Sequence, residues 1–161
     1  PSSMKQKNLN FTYSVCAKSE LTDADAELVN AACAATFTSY APYSNFKVGA
    51  AIRLSNGEIV SGSNQENAAF GAGTCAERCA LFFAHANWPE ETVCSIAVAA
   101  RGANDEYLES PISPCGICRQ ALIEAQTRAG KDVRVLMVGR HEIITLKSVS
   151  HLLPFQFDEI V

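Results

Sequence analysis

Val93-Cys94-Ser95-Ile96-Ala97-Val98-Ala99-Ala100 is an almost unbroken apolar run between polar loops, too short for a buried helix and right for a strand covered on both faces. Residues 115–129 follow as a helix with Gly130 as its stop, and residues 133–138 form a second covered strand. Strand, helix and strand in that order predict a parallel pair with the helix crossing over one face. Outward from this unit, residues 143–146 read as a last strand, and Ser148 as the cap of a short helix ended near Pro154. Upstream, residues 75–87 have the Ala, Leu and Phe content of a buried helix closed by Trp88-Pro89. Residues 46–54 and 58–63 make a hairpin about Ser55-Asn56-Gly57. Thr22 opens a helix running to about residue 39, which Tyr40-Ala41-Pro42-Tyr43 stops. The predicted fold is α/β: three α/β/α layers around a central mixed five-stranded sheet. Residues 1–21 show no sustained periodicity and read as an N-terminal extension to a single domain, residues 22–161.

A length of 161 residues suits one domain, and 48% hydrophobic with 19% charged residues suffices for a core. Net charge is 13 − 17 = −4, the wrong sign for gripping a phosphate backbone, so nucleic acid is not expected as a partner. No apolar stretch approaches a membrane span, and no membrane association is expected. The seven cysteines, at 16, 33, 75, 79, 94, 115 and 118, are an odd number, and no secretory leader is evident. Both facts point to a reducing compartment, the cytoplasm, where closely spaced cysteines bind metal or do chemistry. Pro1, Ser2 and Ser3 are given no part in the fold, and Met4 is read as the natural start.

Cys115-x-x-Cys118 follows Pro114 at a predicted helix start, where two side chains three apart face one point. The spacing fits a metal site ahead of a redox pair. Cys75, at another helix start, supplies a third candidate ligand, because the positive end of a helix favours the thiolate that binds zinc. Three protein ligands leave one position open, which marks catalysis. Glu77, two residues on, is placed to shuttle protons beside the metal; alone, Thr74 to Glu77 would read as a capping box. Three thiolates leave a zinc site at −1, so a nearby cation is needed. Arg78 is favoured for hydrogen bonding to the thiolate sulfurs, and Arg119 is evenly balanced between that role and a surface one.

Cys75-Ala76-Glu77-Arg78, followed by Ser113-Pro114-Cys115-Gly116-Ile117-Cys118-Arg119-Gln120, resembles the zinc signature of the small homotetrameric cytidine deaminases. Phe46-Lys47-Val48-Gly49-Ala50-Ala51, Asn64-Gln65-Glu66-Asn67, and Leu152-Leu153-Pro154 with Phe157 agree with that family in order, over roughly residues 22–157. The resemblance implies one zinc ion per subunit on Cys75, Cys115 and Cys118, with Glu77 as proton shuttle. It implies ribose contacts from Asn64 and Glu66 and packing of Phe46 on the nucleoside. The backbone N–H of Ala76 and the carbonyl of Ser113 would meet the pyrimidine edge, and Phe157 would reach a base in a neighbouring subunit's site. The reaction expected is hydrolytic deamination of cytidine and 2′-deoxycytidine in pyrimidine salvage, by a homotetramer with shared sites. Phe70 stands where the family often has tyrosine.

Alternatives are a deaminase of a nucleoside-like antibiotic such as blasticidin S, and a non-catalytic zinc-stabilised module with a fourth protein ligand. Cys33, Cys79 and Cys94 read as core, Phe82, Phe83 and Trp88 as helix core or subunit contact, and Cys16 is unassigned. The histidines have no spacing partner among the ligands.

Overall fold

A computed structural model describes residues 3–160; Pro1 and Ser2, given no part in the fold above, lie outside them. Each helix starts and stops where local chemistry dictates. Thr22 accepts a hydrogen bond from the Asp25 N–H at 3.2 Å and caps α1, Asp23–Ala35. A 3-10 turn, Thr36–Thr38, completes the segment predicted as one longer helix. Strand β2, Lys47–Leu54, and β3, Ile59–Ser63, flank a turn in which Gly57 adopts φ +90°, a conformation open to glycine. Helix α2, Ala76–Asn87, leads to strand β4, Val93–Arg101. Helix α3, Gly116–Ala129, ends on Gly130 at φ +65°, and β5, Arg134–Val138, follows. Strand β6, Ile143–Leu146, then precedes a 3-10 turn, Val149–Leu152, whose N-cap is Ser148.

The sheet has six strands rather than the five expected, in the order β1-β6-β5-β4-β2-β3. The added strand, β1, is Ser14–Cys16, which pairs antiparallel with β6 from within the extension. Three residues are too few to display an alternation, and β1 is an edge strand with Ser14 and Val15 exposed, so nothing in its composition marks it. The sheet is mixed, with β4 and β5 its parallel pair and α3 the crossover between them.

Alternate residues of the central strands feed two cores. Ala50, Ile52, Ile96, Val98, Val135 and Met137 face α2 and α3, packing on Ala80, Leu81, Ala84, Leu122 and Ile123. Ala51, Ala97, Ala99, Leu136 and Val138 face α1, packing on Leu28, Val29 and Ala32. Three α/β/α layers result, as the two covered strands required. The apolar positions become the core, but Phe82 and Phe83 are more than half exposed, so they are not core of this chain. Cys33, Cys79 and Cys94 are only partly buried; Cys33 packs against the α1 side of the core, while the reading of Cys79 and Cys94 as core is corrected.

Helix α2 packs directly on the backbone of β3 where Gly62 has no side chain. A Cβ there would fall 2.6 Å from the Ala80 nitrogen and 2.9 Å from the Ala76 oxygen. Both are main-chain atoms of α2, the helix that Cys75 precedes as N-cap. Gly62→Ala must therefore move α2 outward, and we expect a loss of about 1–3 kcal/mol of stability. Denaturant unfolding measures it, and wild-type stability in this variant would contradict the packing.

Candidate active site and metal centre

Three cysteines reach one point because two helices start side by side. Cys75 is the N-cap of α2 and Cys115 the N-cap of α3, and neither makes a side-chain capping bond, so both sulfurs are free of the helices they open. Cys118, one turn into α3, is fully buried beneath them. The Sγ atoms of the three all lie within 4.8 Å of one another, and those of Cys75 and Cys115 are 3.9 Å apart. Two thiolates bound to one tetrahedral zinc at about 2.3 Å would sit about 3.8 Å apart, so the donor set fits that ion. The cluster contains three protein donors.

The electrostatics of these thiols favour a cation. The Cys75 thiol is pulled down to about 5, first by the hydrogen bond from Cys118 and next by the Arg78 guanidinium. Cys118 is pushed up, chiefly by donating that bond and then by burial. One sulfur carries charge only while its neighbour keeps a proton. Arg78 Nη2 donates to Cys75 Sγ at 3.3 Å, the contact expected of it, and the sulfurs of Cys118 and Cys75 strengthen its hold on its own proton. Arg119 makes no such contact: its nitrogens bond to the Pro114 and Leu152 carbonyls and the Ser113 hydroxyl.

Glu77 is 4% exposed. Cys75 rather than Thr74 is the N-cap, which puts Glu77 at the second helical position and removes the capping-box reading. Burial pushes its carboxyl above the ordinary carboxylate range, and the negative charge of Cys75 adds to the effect. A carboxyl so held binds a proton more readily than a surface one.

A cleft of about 650 Å³ opens over this cluster. Phe46, Asn64, Glu66, Ala76 and Ser113 line it together with Cys75, Cys115, Glu77 and Arg78. Phe157 is absent from its lining and two-thirds exposed, its carbonyl held by the Gln120 amide at 2.7 Å. Asn64 stitches the cleft wall: its amide donates to the Phe46 carbonyl at 2.7 Å, and its oxygen accepts from the Val48 N–H at 2.9 Å and from the Ser39 hydroxyl. One amide N–H is left over. Glu66 accepts from the Tyr43 and Ser44 N–H groups at 2.9 and 3.1 Å and from the Ser44 hydroxyl at 2.5 Å. The Ser44 hydroxyl in particular holds the Glu66 carboxyl below its ordinary range. Tyr43 and Ser44 also line the cleft; in the sequence Tyr43 stands only in the segment that stops the first helix, and no pattern marks Ser44.

A family model of the cytidine and deoxycytidylate deaminase zinc-binding region matches residues 22–132, which include all three cysteines and Glu77. The chain belongs to that family. The cytidine deaminase of Halalkalibacterium halodurans is 38% identical over 130 residues, 81% of this chain and 91% of that protein. The cytidine deaminase of Sporosarcina psychrophila is 38% identical over 121 residues, 75% of this chain and 82% of that protein. Among solved structures, the cytidine deaminase of Burkholderia pseudomallei superposes with a TM-score of 0.70 at 39% identity, covering 85% of this chain and 100% of that one. Family membership makes this deaminase a zinc-dependent hydrolase. Among its described residues no helix is long and apolar enough to cross a membrane.

Proposed function

We propose that this deaminase converts cytidine and 2′-deoxycytidine, with water, to uridine and 2′-deoxyuridine plus ammonia, as a cytoplasmic enzyme of pyrimidine salvage. The observation that carries the reading is a buried, proton-seeking carboxyl, Glu77, opening onto the same cleft as a three-thiol metal cluster. Cys75, Cys115 and Cys118 would hold the zinc, which would supply the Lewis acidity that lowers the pKa of water in the cleft. Glu77 takes one proton from the attacking water and delivers it to N3 as the C4–O bond forms, then carries the proton of the new hydroxyl to the amino group as the C4–N bond breaks, which leaves the C4 carbonyl and ammonia. Arg78 withdraws charge from the thiolates.

Substrate recognition falls to the cleft wall. Glu66 and the remaining N–H of Asn64 bind the sugar hydroxyls, and Phe46 packs on the nucleoside. The Ala76 N–H and Ser113 carbonyl meet the base edge. We assign residues 22–161 to one catalytic domain and residues 1–21 to an extension. We further propose a homotetramer in which Phe157 enters a neighbour's site. Exposure of Phe82, Phe83, Ile117 and Phe157 supports an apolar surface made for a second copy.

The test is the loss of cytidine absorbance on mixing with purified protein, with and without a chelator. We expect turnover that the chelator abolishes and added zinc restores. Turnover of blasticidin S in preference to cytidine would overturn the nucleoside reading, and zinc binding without any turnover would leave a structural module. Sedimentation of the same sample tests the tetramer, and a monomer under assay conditions would refute it.

A further inference from the structure

We propose that Arg119 is a positioning residue that fixes the Ser113-Pro114 wall of the cleft by tying it to the C-terminal turn. Each of its three guanidinium nitrogens donates to a different acceptor. Nε bonds to the Pro114 carbonyl at 2.8 Å, Nη2 to the Ser113 hydroxyl at 2.7 Å, and Nη1 to the Leu152 carbonyl at 2.9 Å. The first two acceptors belong to the two residues immediately before Cys115.

Packing of Ile112 on the core anchors that wall on one side and the first turn of α3 on the other, which leaves Ser113 and Pro114 between them to Arg119. Residues 109–115 belong to no helix or strand, and Pro114 has no N–H to donate. The flanking main-chain ties are the Ile112 N–H to the Val138 carbonyl at 3.4 Å, at the long limit of such bonds, and the Arg119 N–H to the Cys115 carbonyl at 2.9 Å; among the described residues neither Ser113 nor Pro114 between them makes one. The far end of the clamp is firmly seated. Gln126 of α3 accepts from the Val133 and Val149 N–H groups at 2.9 and 3.1 Å and donates to the Ser150 hydroxyl at 2.8 Å. Arg119 thus transfers the rigidity of α3 and the C-terminal turn to a segment that would otherwise move. Lysine cannot replace it, because one ammonium on a flexible stem does not span three acceptors set by a planar fork.

Ser113 lines the cleft, so freeing it weakens substrate binding more than the proton transfers at Glu77. The kinetic half of this inference rests on the proposed function; the mechanical half does not. The experiment compares Arg119→Lys and Ser113→Ala with wild type, by amide hydrogen exchange of the zinc-loaded proteins and by cytidine kinetics. Losing bonds to a charged group in Arg119→Lys should speed exchange in residues 112–116 by about tenfold and raise KM by about tenfold, with kcat held within about threefold. Ser113→Ala, which removes one bond of the three, should shift both readouts in the same direction by less, and it carries the test if Arg119→Lys does not fold. Unchanged exchange and KM would overturn the proposal, as would a fall in kcat and Tm with KM unmoved. Absence of cytidine turnover in wild type strikes the proposed function instead, and the exchange measurement still decides the clamp.

Discussion

Glu77→Gln leaves a folded, zinc-loaded protein whose kcat for cytidine is lower by about three orders of magnitude, within the usual range for removing a positioned acid–base group. Glutamine matches the carboxyl in size and can still hydrogen-bond, but it cannot carry a proton from one atom to another. The fold should not suffer. Glu77 is buried, and burial outweighs the hydrogen bonds its carboxylate accepts from its own backbone and from Cys118, so a neutral group of the same size removes a net cost of holding charge there. We expect a Tm no lower than that of wild type. Metal analysis, thermal unfolding and kcat on one preparation separate the possibilities. A variant that turns over at near wild-type rate with zinc in place would sink the assigned role. One that loses zinc as well would make Glu77 part of the metal site.

The legible parts of this molecule are those set by neighbours in sequence. Gly57 and Gly130 sit where the chain needs positive φ, Thr22 caps α1, and the continuous apolar runs at 93–100 and 133–138 are the two-sided burial of β4 and β5. Part of the metal cluster was legible for the same reason, since one short spacing at a helix start brings Cys115 and Cys118 together; Cys75, 40 residues before Cys115, joined them as a second helix-start cysteine and through the family resemblance. What escaped depends on distant pairings. Arg119 meets Leu152 33 residues away, and Glu66 meets Ser44 22 residues away; neither side chain announces its partner by type or spacing. Arginine beside a thiolate ligand is an equally sensible arrangement, which is why spacing alone left Arg119 undecided and only the fold separates it from Arg78.

Cys118→Ala should abolish stable zinc binding and, with it, both activity and a measurable part of the stability. The three sulfurs crowd within 4.8 Å, and in the metal-free chain Cys118 keeps its proton so that Cys75 can hold charge. Zinc replaces that shared proton with a divalent cation, and its binding free energy becomes folding free energy because the unfolded chain has no such site. With zinc at 100 to 1,000 times its dissociation constant, the gain is about 3–4 kcal/mol. For a domain of this length that corresponds to roughly 5–15 °C in Tm. Chelated wild type and Cys118→Ala should therefore unfold at similar temperatures, both below the loaded enzyme. Adding zinc should restore wild type and leave the variant where it was. Full zinc content in Cys118→Ala after dialysis would contradict a three-thiolate site. Recovery of its Tm on adding zinc would show that Cys75 and Cys115 suffice, and that the buried sulfur serves packing alone.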